Sequence, residues 1–352
     1  MSTRSNLSPD EDTPDGDSPE TAVGQSPTSR RMDWSQRFEI IVHAVTAFAA
    51  VAALLFAGIS SIQARDELKN RNRELNISEQ GQVTERFTAA TEQLGSETVD
   101  VRLGGIYSLR RIMNDSPEDR QVILEVLTAF IHTHATKPKL VASSGVPKAG
   151  EDAQAAARIV TARPISKPID DDFFGPDLSG IYLPGTQLFG ANLQYARLQG
   201  ADLTRTVLAS ARLEEAQLAG AKLVRVYGLS AELSNADLSK VDAEDANFSG
   251  ARLTSSLLVK ADLKGAVFDA ADLQGADLDG ANLKGANFFD ANLRAASLEG
   301  ALLEGTDLLR ARGITVEQIV SARPTATTKL PLEIAKDARV RARIQAVEHG
   351  CR

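Results

Sequence analysis

The sequence has little cysteine and no excess of basic residues. Cys351 is the single cysteine among 352 residues, so no disulfide bond can form within the chain. This is compatible with a reducing compartment but does not require one. Lys and Arg number 39 against 47 Asp and Glu, a net charge of −8. That balance argues against a protein that grips nucleic-acid phosphates, and no nucleic-acid partner is expected.

Charged residues are also missing from one run, Ile40 to Ile59. At the helical rise of about 1.5 Å per residue, such a run spans about 30 Å, the thickness of the hydrocarbon core of a bilayer. We therefore predict a single-pass membrane helix that contacts lipid along this run. The alternative is a buried core helix, but core helices seldom remain uncharged over this length.

The flanks of the run give little information about orientation or association. Three basic residues precede it and four follow it, which is close to balance under the positive-inside rule. The soluble part is expected in the cytoplasm on this small difference. Ala49, Ala53 and Ala57 recur every fourth residue, a spacing at which membrane helices can pack into an oligomer. An alanine-rich composition explains the same spacing.

A five-residue period dominates the region between Phe173 and Leu308. One column takes every fifth residue, and 26 of its 28 members are Leu or Phe; only Gly228 and Ala243 depart from it. A small residue, most often Ala, stands two positions before most members of the column. A period of five fits neither a helix nor an ordinary strand. It fits a chain that turns a corner every five residues and points each Leu or Phe inward.

Four such sides make a 20-residue coil, and the 28 pentapeptides give about seven coils. At about 4.8 Å per layer the stack is about 34 Å long. Triplets such as Ala201-Asp202-Leu203 and Ala281-Asn282-Leu283 repeat the pattern A-(D/N)-L. The pattern over residues 173–312 resembles the pentapeptide-repeat family. That resemblance implies a mainly β solenoid, a right-handed quadrilateral β-helix.

The rest of the chain divides by composition and helical periodicity. Three helical patterns, 83–94, 101–113 and one opened by an expected N-cap at Ser116, suggest a small HEAT- or armadillo-like unit whose inner side includes Tyr107. The unit resembles the helical module found ahead of the repeats in actinobacterial membrane-associated pentapeptide-repeat proteins. The predicted order is a disordered acidic tail (1–37), the membrane helix (38–62), a helical stalk (63–80), the helical unit (81–135), a linker (136–150), a capping helix (151–163), the repeat region (173–312), and a C-terminal cap with a charged tail (313–352).

The sequence offers no catalytic constellation. Residues 173–312 contain neither His nor Cys, and the acids of the repeat recur at outward polar positions rather than in a cleft. His132 and His134 are two residues apart, so they point to different sides of a helix and do not form a metal site. We therefore predict no enzyme activity, no metal and no cofactor.

The breaks in the column provide the one candidate interaction spot. Gly228 and Ala243 replace large core residues, so we expect a looser or bulging coil there and a binding spot made of Tyr227, Gly228, Asp242 and Ala243. Thr315, with an acid in the following turn, is expected to be the N-cap of a short helix that covers the last coil.

Two functions remain open at this point. The first is a membrane-anchored scaffold that presents the solenoid to an unknown protein partner. The second is implied by the resemblance, because some pentapeptide-repeat proteins are acidic rods that occupy the DNA site of a type II topoisomerase. Residues 173–312 hold 18 acids against 13 bases, a mild excess for a DNA mimic. We therefore favour the scaffold.

Overall fold

The computed structural model describes residues 33–137, 148–162 and 175–350. The predicted disordered tail (as far as residue 32) and most of the predicted linker lie outside the described residues, as do Phe173 and Cys351. The chain divides into two compact units, Met1–Asn76 and Ile77–Arg352. Each unit is described by itself below.

Helix α1 runs without interruption over Trp34–Leu94. The predicted membrane helix, the stalk and the first helix of the helical unit are therefore parts of one helix. An apolar window within α1 has a mean hydropathy of 2.4, and none of it is buried. By length and composition, α1 is the one described helix that could cross a membrane.

In the second unit, the end of α1 packs with three further helices: α2 (Val99–Asp115), α3 (Arg120–His134) and α4 (Glu151–Thr161). Ile106, Leu109, Ile123 and Leu127 are fully buried between them. Tyr107, predicted on the inner side, is instead half exposed on the outer side of α2.

The start of α3 also differs from the prediction at Ser116. A short 3-10 turn, Pro117–Asp119, comes first. The Ser116 hydroxyl donates a hydrogen bond to the Asp119 carboxylate (2.6 Å) rather than accepting one from a backbone N–H. The Asp119 carboxylate, three residues on, is a charged acceptor within reach, so the Ser116 hydroxyl donates its hydrogen bond there.

A buried ion pair attaches α4 to α2. The Arg102 Nε atom lies 2.7 Å from Asp152 Oδ2, and both side chains are almost entirely shielded from solvent. Arg102 also donates to the carbonyl oxygens of Ser96 and Glu97, so little of its donor capacity is left unused. A buried pair of this kind is tolerated because each charge has hydrogen-bond partners. It positions α4 rather than adding large net stability.

Parallel β-bridges between residues 20 apart build the solenoid. They run from Asp177↔Arg197 to Asn292↔Arg312 without a gap or a shift of register. Each bridge is isolated because the chain turns before a second residue can pair, so the described residues contain no longer β-strand. Neighbouring coils are joined by bonds such as Leu203 N–H to Lys222 O and Asp202 N–H to Ile181 O, both 2.8 Å. The β-solenoid architecture is confirmed.

The corners are tight turns that place one residue at positive φ. In the turn from Leu193 to Ala196, the Ala196 N–H donates to Leu193 O (3.1 Å), and Tyr195 has φ = 59°. Glycine occupies many equivalent corners, for example Gly200 with φ = 67°. Fourteen described non-glycine residues also have positive φ, nearly all of them at these corners, and each costs about 1–2 kcal/mol. The ladder between coils stabilises these turns against that cost.

The first described coil is covered by the carboxyl ends of two helices. The Tyr182 N–H donates to Ala135 O (2.8 Å), just after α3, and the Asn192 N–H donates to Thr161 O (2.7 Å), the last residue of α4. Carbonyls at a helix end lack partners within the helix, and so do the N–H groups at the end of a solenoid. The two sets satisfy each other. As a result the helical unit and the solenoid share one hydrophobic core.

The last coil is covered by the C-terminal segment. The bridges Leu302↔Arg323 and Asp307↔Lys329 extend the ladder. Helix α5 (Val316–Ser321) precedes these two bridging residues in the chain, and α6 (Leu332–Ala335) and α7 (Ala338–Glu348) follow them. Thr315 caps α5 in a reciprocal capping box with Gln318, which confirms the predicted N-cap. The Gln318 side-chain amide also donates to Leu293 O (3.0 Å) and Ala296 O (2.8 Å).

We predict that Gln318→Glu destabilises the chain more than Gln318→Ala. The glutamate retains the acceptor for Thr315 N–H, but it places a carboxylate oxygen against two carbonyl oxygens. The loss should be about 2 kcal/mol or more in the free energy of unfolding, followed by circular dichroism on the full chain in detergent. Gln345→Glu on the exposed side of α7 is the control for added charge. Equal stability of Gln318→Glu and wild type would contradict the capping role.

Candidate functional site

Charged side chains on the solenoid pair between neighbouring coils. Basic and acidic residues 20 apart approach to N···O distances of 2.7 to 3.5 Å in six pairs: Arg197–Asp177, Arg225–Asp245, Arg252–Glu232, Lys264–Glu244, Lys284–Glu304 and Arg310–Asp290. All are substantially exposed, and exposed pairs of this kind each contribute about 0–1 kcal/mol. They form a solvated surface of alternating charge rather than a pocket.

The outward acids do not form a catalytic pair. Asp242, Asp272 and Asp277, like the other acids of the repeat, lie half-buried or exposed on the solvent side of the coils. At the start of the solenoid, burial raises the pKa of Asp177, but hydrogen bonds from Ser179 and the positive charge of Arg197 outweigh it and leave the pKa below its usual value. A general acid needs a pKa near the working pH, and this shift moves the pKa away from neutrality.

The histidines of α3 have structural contacts. His132 Nε2 lies 2.8 Å from the carbonyl oxygen of Asp177, which adds a further link between the helical unit and the first coil. The His134 ring stacks on Phe130 at a centroid distance of 3.9 Å. Among the described residues, no group of His, Cys, Asp and Glu side chains is arranged to hold a metal ion.

An open cavity of about 340 Å³ lies between the end of α1 and α2. Its floor is apolar, formed by Ala89, Ala90 and Ile112, and Arg86 and Arg111 stand at its edge. Both arginines approach Asp115, at 3.3 and 3.9 Å, so this one carboxylate offsets one of their two positive charges. The cavity has no nucleophile beside a base, and we assign it no chemistry.

The four residues of the predicted interaction spot are divided between two sides of the solenoid. Tyr227 is half exposed, and Gly228 is buried in the inward column beside it. Asp242 points outward from the adjoining side in the next coil, and Ala243 is fully buried behind it. The structure therefore brings Tyr227 and Asp242 to different surfaces, while Gly228 and Ala243 contribute only backbone and core.

The expected bulge at these residues is absent, and the expectation was wrong. Gly228 N–H donates to Asn247 O (2.8 Å), and Ala243 N–H donates to Asp262 O (2.7 Å), so the ladder continues unchanged. The reason is Phe248, which follows Gly228 in the same inward column. A Cβ atom on Gly228 would lie only 2.8 Å from Phe248 Cδ1. The ring fills the space that a leucine would occupy at position 228.

Phe248 begins a column of stacked rings. The ring centroids of Phe248 and Phe268 are 5.7 Å apart, and those of Phe268 and Phe288 are 4.9 Å apart. Offset stacks at this spacing add about 0.5–1.5 kcal/mol per pair beyond the buried area. The sequence signal was available, since Gly228 and the three phenylalanines are spaced by 20 residues, but it appears only when the column is read in steps of one coil.

One side of the solenoid differs from the others in its outer surface. We call it the aromatic face and define it by the outward residues that flank the column from Leu188 to Leu308, namely Gln187, Phe189, Val207, Ala209, Tyr227, Leu229, Asn247, Ser249, Val267, Asp269, Asn287, Phe289, Asp307 and Leu309. Six large apolar side chains of the described solenoid are exposed, and five of them are on this face; the sixth is Leu257. The exposed apolar surface is therefore concentrated on one side.

Comparison with known proteins agrees with this architecture. The family model for pentapeptide repeats matches in eight copies, over residues 172–205, 186–223, 211–250, 246–285 and 286–312. The solved structure of a pentapeptide repeat protein from Nostoc PCC 7120 is 32% identical and aligns over 34% of this chain and 74% of its own, with a TM-score of 0.17. This chain belongs to the pentapeptide-repeat family.

Two other solved structures are similar to this pentapeptide-repeat protein. HetL, involved in heterocyst differentiation regulation in the cyanobacterium Nostoc sp. strain PCC 7120, is 29% identical over 44% of this chain and 86% of its own, with a TM-score of 0.19. QnrB1, a plasmid-mediated fluoroquinolone resistance protein, is 16% identical over 50% of this chain and 92% of its own, with a TM-score of 0.25. No curated protein matches the chain.

We predict that Gly228→Ala lowers the free energy of unfolding by about 1–3 kcal/mol, because the new methyl group overlaps a ring that cannot move within its stack. In a Phe248→Leu background the same change should cost less, with a coupling energy of about 0.5–3 kcal/mol in the double-mutant cycle. Denaturant unfolding of the full chain in detergent gives all four values. Phe288→Leu removes a ring two coils beyond Phe248 and three coils beyond Gly228. It is the matched control and should not rescue Gly228→Ala. Strict additivity with Phe248→Leu would refute the complementarity.

Proposed function

We propose that this pentapeptide-repeat protein is a membrane-anchored, non-catalytic scaffold, in which helix α1 crosses the bilayer and a right-handed solenoid of about seven coils presents surfaces to a protein partner. One observation carries the proposal. The apolar window of α1 has a mean hydropathy of 2.4, and none of it is buried against the described residues. Burial of a Leu, Ile, Phe or Val side chain is worth about 1.5–3 kcal/mol, so twenty residues of this kind require an apolar surrounding.

The exposure of α1 argues for lipid rather than protein as that surrounding. Phe48, Leu54, Leu55 and Phe56 point in different directions around the helix, and each is more than 60% exposed. A helix that packs on a protein surface has one apolar side and one polar side. A helix that is apolar all round is typical of a membrane span. We place the solenoid on the cytoplasmic side, following the small excess of basic residues after the run.

The scaffold role follows from the rigidity and regularity of the solenoid. Its ladder is continuous from Asp177 to Arg312, and both ends of the described coils are covered by helices or by the C-terminal segment. Such a stack offers extended flat surfaces and no cleft in which substrate could be enclosed. The partner is a protein whose identity the geometry does not specify.

The DNA-mimic alternative receives less support from the charge distribution. A decoy for DNA needs rows of negative charge that reproduce the phosphates. Here basic side chains alternate with acids along the coils, as in the pairs Lys264–Glu244 and Arg252–Glu232. The 13 bases and 18 acids of the repeat region therefore largely neutralise one another.

Membrane fractionation tests the anchor. The full chain should remain in the membrane fraction through a high-salt wash and leave it only with detergent, because the contact is apolar. Val51→Arg with Leu54→Arg should prevent stable insertion, since each charge at the centre of a span costs about 2.5–3.5 kcal/mol. Asn70→Arg with Asn72→Arg, in the polar continuation of α1, is the matched control and should stay membrane-bound. Release of the wild type by salt alone, or a shortened soluble product, would contradict the proposal.

A further inference from the structure

The aromatic face is an exposed apolar surface that the scaffold proposal does not explain. Phe189 is 72% exposed, and Tyr227, Leu229, Phe289 and Leu309 are between 41% and 52% exposed. Their outward positions are fixed by the coil and cannot turn inward, because the inward column beside them is fully occupied. We propose that this face binds the same face of a second copy of the chain, so that two solenoids associate side by side.

The distribution of charge selects this side of the solenoid for self-association. Two of the fourteen outward residues of the aromatic face are charged, Asp269 and Asp307, whereas each of the other three sides carries six or eight. Asp307 is paired with Lys329 at 3.0 Å, which leaves Asp269 as the unbalanced charge. Two copies of a chain with net charge −8 repel each other in most orientations. The aromatic face is the side on which they can approach with the least repulsion.

The polar residues of the face are also suited to its own copy. Gln187, Asn247, Ser249 and Asn287 interrupt the apolar side chains, and each carries both a donor and an acceptor. In a two-fold contact such residues can pair with the same types on the other copy, and Asp269 is the one unbalanced charge that the contact must accommodate. A strongly acidic partner or an anionic lipid surface would meet no lysine or arginine among the fourteen residues, and a strongly basic partner would meet Asp269 as the one unbalanced acid. The neighbouring Arg310 lies 4.8 Å from the centroid of the Phe289 ring and is paired with Asp290.

The size of the face sets the expected strength. Its seven rows, joined by six bridges from Gln187 to Asp307, extend over about 30 Å. With a width of about 10 Å the flat area is about 300 Å², less than the roughly 800 Å² per partner of a stable soluble complex. The pairing should therefore be weak for free molecules. Tethering both copies to one surface raises their effective concentration and compensates for a small contact.

Site-specific photo-crosslinking of the full chain in cells tests this inference. A crosslinking residue is placed on the aromatic face by Tyr227→p-benzoylphenylalanine and, as a control on a different side of the same coil, by Gln217→p-benzoylphenylalanine. Irradiation should give a product of twice the chain mass from position 227, with mass spectrometry finding this chain alone, and little or none from position 217. The expected yield of this product rests on the proposed membrane anchor, which the fractionation experiment tests separately.

A matched pair of leucines separates the face from general surface effects. Leu229 on the aromatic face and Leu257 on another side are 41% and 45% exposed, so Leu229→Arg and Leu257→Arg introduce the same charge at similar exposure. Leu229→Arg should reduce the crosslinked dimer about tenfold or more, because an arginine would be buried without a partner. Leu257→Arg should leave it unchanged. Leu309→Arg, in the last row of the aromatic face, is a second variant on the face and should act like Leu229→Arg.

Each alternative result overturns the inference. Absence of a dimer, or equal crosslinking from positions 217 and 227, excludes a specific contact on this face. A product with a different protein or with lipid identifies another occupant. A dimer that persists in both Leu229→Arg and Leu309→Arg places the association elsewhere, for example along Ala49, Ala53 and Ala57.

Discussion

Backbone hydrogen bonding between residues one coil apart is the constraint on which this structure depends. Each side of a coil donates to both neighbouring coils: Asp202 N–H bonds to Ile181 O in the preceding coil, and Leu203 N–H bonds to Lys222 O in the following one. One inserted residue would break the register of every later side, which accounts for a column of 28 positions without an insertion. The ladder also holds the positive φ angles of corners such as Tyr195, which an isolated turn would not favour. It needs a partner at both ends: the carboxyl ends of α3 and α4 supply it at the first described coil, and the C-terminal segment supplies it at the last.

Once the ladder fixes the coil, the interior has a fixed cross-section that side chains must fill. Leucine fills it at most positions, and a phenylalanine requires a smaller neighbour. Gly228 is that neighbour for Phe248. A Cβ atom at position 228 would lie only 2.8 Å from the ring, and glycine has none. The substitution that looked like a defect is thus one half of a compensated pair. Ala243 is buried with its hydrogen bonds intact.

The sequence predicted whatever depends on local period and missed what depends on contacts between distant residues. The five-residue column predicted inward leucines such as Leu203, and Thr315 was recognisable as a helix cap because an acid follows it in the first turn, close in sequence. The ion pair Arg102–Asp152 and the bond from Tyr182 N–H to Ala135 O join segments about 50 residues apart, and no local pattern marks them. The candidate spot failed as one surface because the solenoid turns a corner between Tyr227 and Asp242. The aromatic face becomes visible only when outward residues that recur every 20 positions are placed on the same side, and this requires the number of residues per coil to be known.

Two apolar surfaces remain exposed in this chain, and their shapes call for different environments. The run of α1 is apolar around its whole circumference and includes no charged residue from Ile40 to Ile59, so it suits a medium that surrounds it on every side. The aromatic face is flat and one-sided, and residues such as Asn247 and Asn287 interrupt it; amide groups in hydrocarbon would lose their hydrogen bonds. It therefore suits a protein surface of similar polarity. The two proposals thus rest on separate features and are tested by separate experiments. If both hold, the anchor strengthens the side-by-side contact by confining both copies to one plane, where a small interface is sufficient.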